Sequence, residues 1–291
     1  MISINTNNGG LFAAKAASQS QAAIDSAMQR LSTGSRINNA RDDAAGQAIS
    51  TRLTAEIQGL EIASRNVADG QSLIDTAEGA LQETHTLLLR MREIGVQAAN
   101  GTLSSSDNEA LDAEFQQLVK EIDRIAQNTT WAGTALLNGN ASGTVDSTVS
   151  LSFQAGVGNN SGNDVFSVTI KNADATTLDI FAANATTATD NDVNLLTQSS
   201  SQTAIGIVDT AIATVSSERA NLGAVSNRMS STMANLDQIR VNLTASQGRI
   251  QDADFAAETS NLAKGQILQQ AATAMLAQAN ASKQQVLTLI R

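Results

Sequence analysis

Two long stretches of the chain carry apolar residues at strict seven-residue spacing. The first column consists of Leu53, Leu60, Val67, Ile74, Leu81 and Leu88, and the second of Val208, Val215, Leu222, Met229, Leu236, Leu243 and Ile250. A companion column beside the first is made mostly of small residues, namely Ala63, Gly70, Ala77 and Thr84. A repeat of this length is typical of helices that pack along a coiled-coil-like seam. The pattern predicts two helices of roughly 45 residues each, packed side by side.

A shorter helix is predicted between the two long ones. Ser106 and Glu109 have the spacing of a capping box, in which two side chains bond to backbone N–H groups at the helix start. Apolar residues then follow at alternating spacings of four and three residues: Leu111, Phe115, Leu118, Ile122 and Ile125. This spacing places them on one helix face, so we expect three helices to share one seam.

The two chain ends are alanine-rich, lightly charged and only weakly amphipathic. Their apolar stripes are Ala14, Ala17, Ile24, Met28 and Leu31 at the start, and Leu268, Ala272, Met275, Ala279, Val286 and Leu289 at the finish. Such stripes bury too little apolar surface to offset the entropy of ordering a helix, so we expect each end to stay mobile until another chain covers it. The residues predicted to pack between subunits are Ile24, Met28, Leu31, Leu268, Met275 and Leu289.

Residues 138–204 follow a different pattern. Apolar residues alternate with polar ones in two short runs, Val149, Leu151, Phe153 and Phe166, Val168, Ile170. A turn-rich stretch at 156–164 separates the runs, and together they predict a β-hairpin. The region holds six aspartates (146, 164, 174, 179, 190 and 192) against Lys171 as its one basic residue. We therefore expect this part to face water on the outside of the molecule.

Composition excludes several classes of partner. Proline is absent, which permits long unbroken helices. A net charge of −10 offers no basic surface for nucleic acid or anionic lipid. The first ten residues have neither the basic nor the apolar region of a secretory signal peptide, and no apolar run approaches the ~18 residues of a membrane span. We predict no nucleic-acid or membrane partner, and any export of the protein would use a route without a cleaved signal peptide.

Motifs that would carry chemistry are weak. His85 is the only histidine, so one chain cannot supply a zinc-binding histidine pair, and we expect it to be a solvated helix residue. An EF-hand that starts at Asp190 would place Leu195 where the loop needs glycine. The glycines at 156 and 158 precede a strand, which excludes a dinucleotide-binding turn. We predict no catalytic residue, no metal site and no cofactor, and hence a protein that is not an enzyme.

Four segments resemble the bacterial flagellins. They are LSTGSRINNARDDAAGQAI at 31–49, ASRNVADG at 63–70, IQDADFAAE at 250–258 and QVLTLIR at 285–291. The resemblance covers roughly residues 1 to 137 and 205 to 291. It implies a structural subunit that polymerises into the flagellar filament for swimming motility, outside the bacterial cell.

Periodicity and resemblance together predict a mainly α fold, a long antiparallel coiled-coil-like helix bundle with a small β-hairpin region in mid-chain. The implied domains are a core helix and connector (1–41), an inner-shell long helix with a second helix (42–137), a hairpin with outward-facing loops (138–204), a second inner-shell long helix (205–252) and a C-terminal core helix (253–291).

The resemblance also implies partners. These are other flagellin subunits in a homopolymer, an export chaperone, and the cap and junction proteins of the flagellum. Many flagellins bind a vertebrate toll-like receptor, and the residues here that match the receptor-binding segment are Arg90, Glu93, Val96, Gln97 and Glu114. Leu89 and Gly95 depart from that pattern, and a glycine in mid-helix could weaken binding.

Three alternative functions make different predictions. A hook–filament junction protein shares similar terminal regions but occurs in few copies. A coiled-coil adhesin or binding module would form a small defined oligomer in place of an open-ended polymer. A protease in the variable region would need a His-Glu-x-x-His motif, and the chain has one histidine.

Overall fold

The computed structural model describes residues 6–138, 148–160, 162, 164–180 and 193–289, and side chains as far as residue 282. Its elements are α1 (Asn8–Thr33), α2 (Ala44–Ala98), α3 (Ser105–Asn128), β1 (Thr130–Trp131), β2 (Thr134–Ala135), β3 (Thr148–Gln154), β4 (Val165–Lys171), α4 (Gln198–Gln251) and α5 (Phe255–Leu289). The chain divides into two compact units. The terminal unit comprises Met1–Gln58 with Arg240–Arg291, and the central unit comprises Gly59–Ile239.

The core of the central unit lies along the predicted seven-residue columns. Every member of the α2 column from Leu60 to Leu88 is buried, and so is its companion column from Ala63 to Thr84. The α4 column is buried from Val208 to Leu236. The prediction of two long helices that share a coiled-coil-like seam is confirmed.

Salt bridges across the central unit show that α2 and α4 are antiparallel. Arg219 Nη2 lies 2.7 Å from Glu78 Oε1, and Arg92 Nε lies 2.6 Å from Asp209 Oδ1. Residue numbers therefore rise along α2 as they fall along α4. The third helix, α3, contributes Phe115 and Ile122 to the same core, where both are fully buried.

The N-terminal cap of α3 was predicted two residues too late. Ser104, and not Ser106, caps the helix: its side chain accepts a hydrogen bond from Asp107 N, and the Asp107 carboxylate accepts one from Ser104 N at 3.1 Å. Ser104 has extended backbone angles, whereas Ser106 already lies inside the helix and cannot serve as its cap. The serine hydroxyl and backbone N–H that bond to Asp107 lower the pKa of its carboxyl group.

The predicted β-hairpin is confirmed. Strands β3 and β4 are antiparallel, and Leu151 pairs with Val168 and Phe153 with Phe166. On the helix side of the hairpin, the Arg228 guanidinium lies 4.8 Å from the centre of the Phe166 ring, a cation–π distance. A second, two-residue ladder between β1 and β2 was not predicted.

Polar side chains on α3 fix the segments that follow the hairpin. The Asp123 carboxylate accepts a hydrogen bond from Ala175 N and that of Asp112 accepts one from Leu195 N, each at 2.8 Å. The apolar residues buried in these segments are Ala173, Ala175, Leu178, Ile180 and Leu195. This burial was not predicted for a region expected to face water. Asp146, Asp190 and Asp192 lie outside the described residues.

Candidate assembly surface

The terminal unit is built around a pair of antiparallel helices, α1 and α5. Gln269 Nε2 donates to Gln21 Oε1 at 2.6 Å, and near the other end of α1 the Arg30 guanidinium donates to Glu258 Oε1 at 2.8 Å. The buried residues of the pair are Gly10, Ala13, Ser20, Ile24 and Ala27 on α1, and Glu258, Gly265 and Ala272 on α5. On α5 these residues follow the same seven-residue spacing as the long helices.

The small residues of this seam let the two backbones approach closely. A Cβ atom added at Gly265 would lie 2.8 Å from Ile24 Cγ1 and 3.7 Å from the backbone oxygen of Ser20. The sequence pattern placed Ala17, Ile24 and Ala272 in the packing stripes. It missed a second set of buried small residues on α1, namely Gly10, Ala13, Ser20 and Ala27. Small residues have similar hydropathy whether they lie at a seam between helices or on the surface, so hydropathy alone could not identify them.

One end of the pair is fixed by a largely buried ion pair. Glu258 is only 8% exposed, and its second carboxylate oxygen accepts a hydrogen bond from Asn261 Nδ2 at 3.3 Å. The hydrogen bond from Arg30 lowers the pKa of the Glu258 carboxyl group, and the bond from Asn261 acts in the same direction, whereas burial opposes both. The carboxylate is therefore held in its charged form at neutral pH.

The motifs at 31–49 and 250–258 meet beside this ion pair. Gly34 ends α1 in the left-handed conformation at φ 71, which suits a residue without a side chain. Arg36 N donates to Gln251 O at 2.7 Å, Ala253 N donates to Gly34 O at 2.9 Å, and Arg36 Nη2 donates to Ile250 O at 2.8 Å. The motif at 31–49 thus contacts the motif at 250–258 through backbone hydrogen bonds.

An open groove runs along one face of the α1–α5 pair. Its volume is about 920 Å³ and both helices line it. The large apolar side chains in it are Phe12, Leu268 and Met275, all of which are exposed to solvent in the single chain. Arg30, Glu258 and Lys264 place charge towards one end. We call this surface the terminal groove.

The predicted packing residues have different locations in the terminal unit. Leu268 and Met275 line the terminal groove. Ile24 is buried inside the pair, and Leu31 is half-buried. Met28 is exposed but is not among the residues that line the groove. The side chain of Leu289 lies outside the described residues, as does that of Val286.

The residues matched to the receptor-binding segment lie on exposed faces of the central unit. Arg90 Nη2 lies 2.8 Å from Glu114 Oε1, and Arg90 Nη1 lies 3.2 Å from Glu93 Oε2. The hydrogen bond from Glu114 raises the pKa of Arg90, and the bond from Glu93 adds to that effect. Val96 and Gln97 follow on the same helix and are exposed. The structure therefore brings Arg90, Glu93 and Glu114 into one ion cluster.

The single histidine of the chain lies in the central unit. His85 is half-buried on α2, where a fully solvated side chain was expected. Among the residues that the structure describes, no three His, Asp or Glu side chains lie close enough to hold a metal ion. Over the same residues, no helix combines the length and apolarity that a bilayer span requires.

Comparison with known proteins identifies the family. Residues 4–142 match the family model described as the bacterial flagellin N-terminal helical region. Residues 205–290 match the model of the bacterial flagellin C-terminal helical region. The chain belongs to the bacterial flagellin family.

Curated flagellins resemble this chain over nearly its whole length. The flagellin of Halalkalibacterium halodurans is 44% identical over 265 residues, which cover 91% of each chain. The flagellin of Bacillus subtilis is 43% identical over 305 aligned residues, which cover 99% of each chain. Because both alignments include the middle of the chain, this flagellin has the length of a short family member without large inserted outer domains.

A solved structure of another flagellar protein shares the fold. A putative flagellar hook-associated protein from Vibrio parahaemolyticus superposes with a TM-score of 0.57 over 72% of this chain and 100% of that chain, at 15% identity. At that identity the likeness concerns the fold alone, and it does not favour the junction-protein alternative. This flagellin is a structural subunit of the bacterial flagellar filament, a homopolymer outside the cell that serves motility.

Proposed function

We propose that this flagellin polymerises through the terminal groove, which a second copy of the chain fills. The observation that carries the proposal is the exposure of Leu268, Met275 and Phe12 in a single apolar groove. Covering one such side chain stabilises a contact by about 1.5–3 kcal/mol. A contact between the groove and a different surface of the next copy does not close on itself, so repeated contacts build an open-ended filament.

We propose that folding of the terminal helices is coupled to this contact. The seam between α1 and α5 is formed mainly by glycine, alanine and serine residues, which bury little apolar area. The ion pair of Arg30 with Glu258 adds a directional contact but little burial. Without a neighbouring subunit on the groove, the pair gains too little free energy to offset the entropy of ordering both helices.

The division of the filament into layers is proposed on the same basis. Residues 1–41 and 253–291 form its core, 42–137 and 205–252 form the next shell, and 138–204 face outward. The weak seam of the terminal pair suits a core that many neighbouring copies cover. The long buried columns of α2 and α4 suit a shell that is stable within one chain.

The groove contact is tested by a pair of adjacent substitutions on α5. Leu268→Glu places a charge in the terminal groove, whereas Ile267→Glu places the same charge on the neighbouring residue, which is 66% exposed and does not line the groove. Growth on filament seeds is followed by light scattering. We expect Leu268→Glu to abolish elongation and Ile267→Glu to retain it. Equal growth of the two variants would contradict the groove as the contact surface.

Further partners are proposed from the family resemblance. An export chaperone covers the exposed apolar side chains of α5 before assembly, and cap and junction proteins hold the two ends of the filament.

A receptor role is proposed for the cluster around Arg90. Its exposed guanidinium, with Glu93, Glu114 and the apolar Val96, offers a mixed charged and apolar surface on α2 and α3. The proposal predicts that purified monomer activates cells that carry the toll-like receptor and that Arg90→Ala reduces activation. Failure of the unaltered monomer to activate such cells would refute it.

We also propose that the protein catalyses no reaction. The support is the single histidine, which lies half-buried on α2, and the membership of a structural-protein family. Detection of proteolytic activity in purified filaments that disappears with His85→Ala would contradict the proposal.

A further inference from the structure

The methionines of this flagellin fall into environments that differ sharply in exposure. Met91 and Met229 are 0% exposed in the core of the central unit. Met233 is half-buried. Met28 is 52% exposed and Met275 is 64% exposed, and both lie on the terminal helix pair. Within the part of the chain that the structure describes, Met28 and Met275 are therefore the methionines most accessible to a reagent in solution.

Met275 differs from Met28 in what surrounds it. Its side chain lines the terminal groove together with Phe12 and Leu268, whereas Met28 lies outside the groove lining. Under the proposed function, a second copy covers Met275 in the filament and removes its sulfur from solvent. The same residue is thus accessible before assembly and an apolar contact after it.

We propose that Met275 is an oxidation site that controls assembly: a hydroperoxide oxidises it in the free subunit, and the resulting sulfoxide prevents that subunit from joining a filament. The inference rests on the proposed groove contact. The oxidants that react at Met275 are small hydroperoxides, of which hydrogen peroxide is the simplest.

The chemistry is a two-electron oxygen transfer. A lone pair on the Met275 sulfur attacks the terminal oxygen of the hydroperoxide, an S–O bond forms and the O–O bond breaks. The sulfur is oxidised to a sulfoxide and the peroxide is reduced to water, or to an alcohol when it carries an organic group, after the transferred OH gives up its proton to the leaving oxygen. Methionine sulfoxide reductase reverses the change.

The sulfoxide makes the apolar lining of the groove polar at Met275. The new oxygen is a strong hydrogen-bond acceptor, and an apolar neighbour that covers it supplies no donor. The other large apolar side chains that line the groove are Leu268 and Phe12. The charged residues of the groove lie on other turns of the two helices. Burying the unsatisfied oxygen weakens the contact, and we expect elongation to fall about tenfold or more.

The test uses full-length flagellin in its free and its filament forms. Both are exposed to dilute hydrogen peroxide, and peptide mass spectrometry measures sulfoxide at each methionine. In the free subunit we expect fast oxidation at Met28 and Met275 and slow oxidation at Met91 and Met229. In filaments we expect Met275 to be protected. Equal oxidation of Met275 in the two forms would overturn the inference.

Seeded elongation then connects the modification to assembly. Met275→Leu keeps an apolar side chain but has no sulfur, so we expect it to elongate and to resist peroxide. Met28→Leu is the matched control, and we expect it to elongate before treatment and to lose that ability after it. Treatment of the oxidised wild-type subunit with methionine sulfoxide reductase should restore growth. The proposal is wrong if peroxide still slows the elongation of Met275→Leu. It is also wrong if the oxidised wild-type subunit does not regain growth after treatment with the reductase.

The outcome also separates this inference from the groove contact itself. If Leu268→Glu blocks elongation while wild type with oxidised Met275 grows normally, the groove contact stands and the oxidation site fails. If Leu268→Glu elongates like wild type, the groove contact fails, and the oxidation site fails with it.

Discussion

At the scale of single residues, the Arg30–Glu258 ion pair couples the terminal helices to pH. The pKa of Glu258 is lowered from its usual value of 4.5, chiefly by the hydrogen bond from Arg30. A carboxyl group whose pKa is lower in the folded state stabilises that state above the unfolded pKa. The stabilisation is then lost as pH falls below about 4.5 and through the lower folded value.

The corresponding prediction concerns filament stability. Glu258→Gln removes the charge, so we expect it to weaken the α1–α5 pair by about 1 kcal/mol at neutral pH. Its filaments should depolymerise at a lower temperature than wild type at pH 7, and the difference should shrink below pH 4. The control is Glu121→Gln, whose carboxylate pairs with Arg124 on the exposed surface of α3. Identical pH profiles for wild type and Glu258→Gln would contradict the assigned role.

Gly265 offers a second prediction at the residue scale. Alanine normally favours a helix over glycine by about 1 kcal/mol. At Gly265 the added Cβ would press against Ile24 Cγ1 at 2.8 Å, and overpacking of this kind costs about 1–3 kcal/mol. We expect Gly265→Ala filaments to depolymerise at a lower temperature.

The control for Gly265 is a helical glycine with open space around it. Gly206 lies on α4, and no heavy atom lies within 4 Å of the position of an added Cβ. Gly206→Ala should therefore leave filament growth unchanged and raise the free energy of unfolding of the monomer by up to about 1 kcal/mol in urea. A stabilising Gly265→Ala would show that the two helices do not approach as closely as described.

At the scale of elements, the start of α3 yields a prediction that separates two candidate caps. Ser104 bonds to Asp107 N in the structure, whereas the sequence pattern favoured Ser106. Ser104→Ala should reduce the free energy of unfolding of the monomer by about 1 kcal/mol. Ser106→Ala should change it little, because its side chain does not cap the helix. A larger loss from Ser106→Ala in urea titrations would restore the original assignment.

The position of this cap could not be predicted from the sequence pattern alone. Ser104 and Ser106 each precede an acidic residue by three positions, so spacing alone cannot choose between them. The cap is the residue with non-helical backbone angles directly before the helix, and the spacing does not show which serine that is. By contrast, the strands of the hairpin were predictable, since two alternating runs around a turn-rich stretch have one natural register.

The burial after β4 was not predictable from local pattern. Asp112 and Asp123 on α3 accept backbone hydrogen bonds from segments that follow the hairpin, more than 50 residues further along the chain. Those contacts satisfy buried N–H groups and let Ala175, Ile180 and Leu195 pack in the core. Local periodicity carries no information about such a long-range contact.

At the scale of the whole molecule, the two units differ in how they are stabilised. The central unit has continuous columns of leucine, isoleucine, valine and methionine. The terminal helix pair has a seam of small residues and leaves Phe12, Leu268 and Met275 exposed. This difference explains why the long helices were readily predicted while the seam of the terminal pair was only partly found. Under the proposed function, intermolecular contacts supply the stability that the terminal pair lacks.

Under the proposed function, α5 joins subunits into a filament through its exposed apolar residues. Electron microscopy of purified subunits before and after the addition of filament seeds tests it most directly, with full-length flagellin compared with a chain that lacks residues 268–291. We expect long filaments from the full-length chain and none from the shortened one. Filaments of equal length from both chains would contradict it, because the contacts would then lie in the long helices of the central unit.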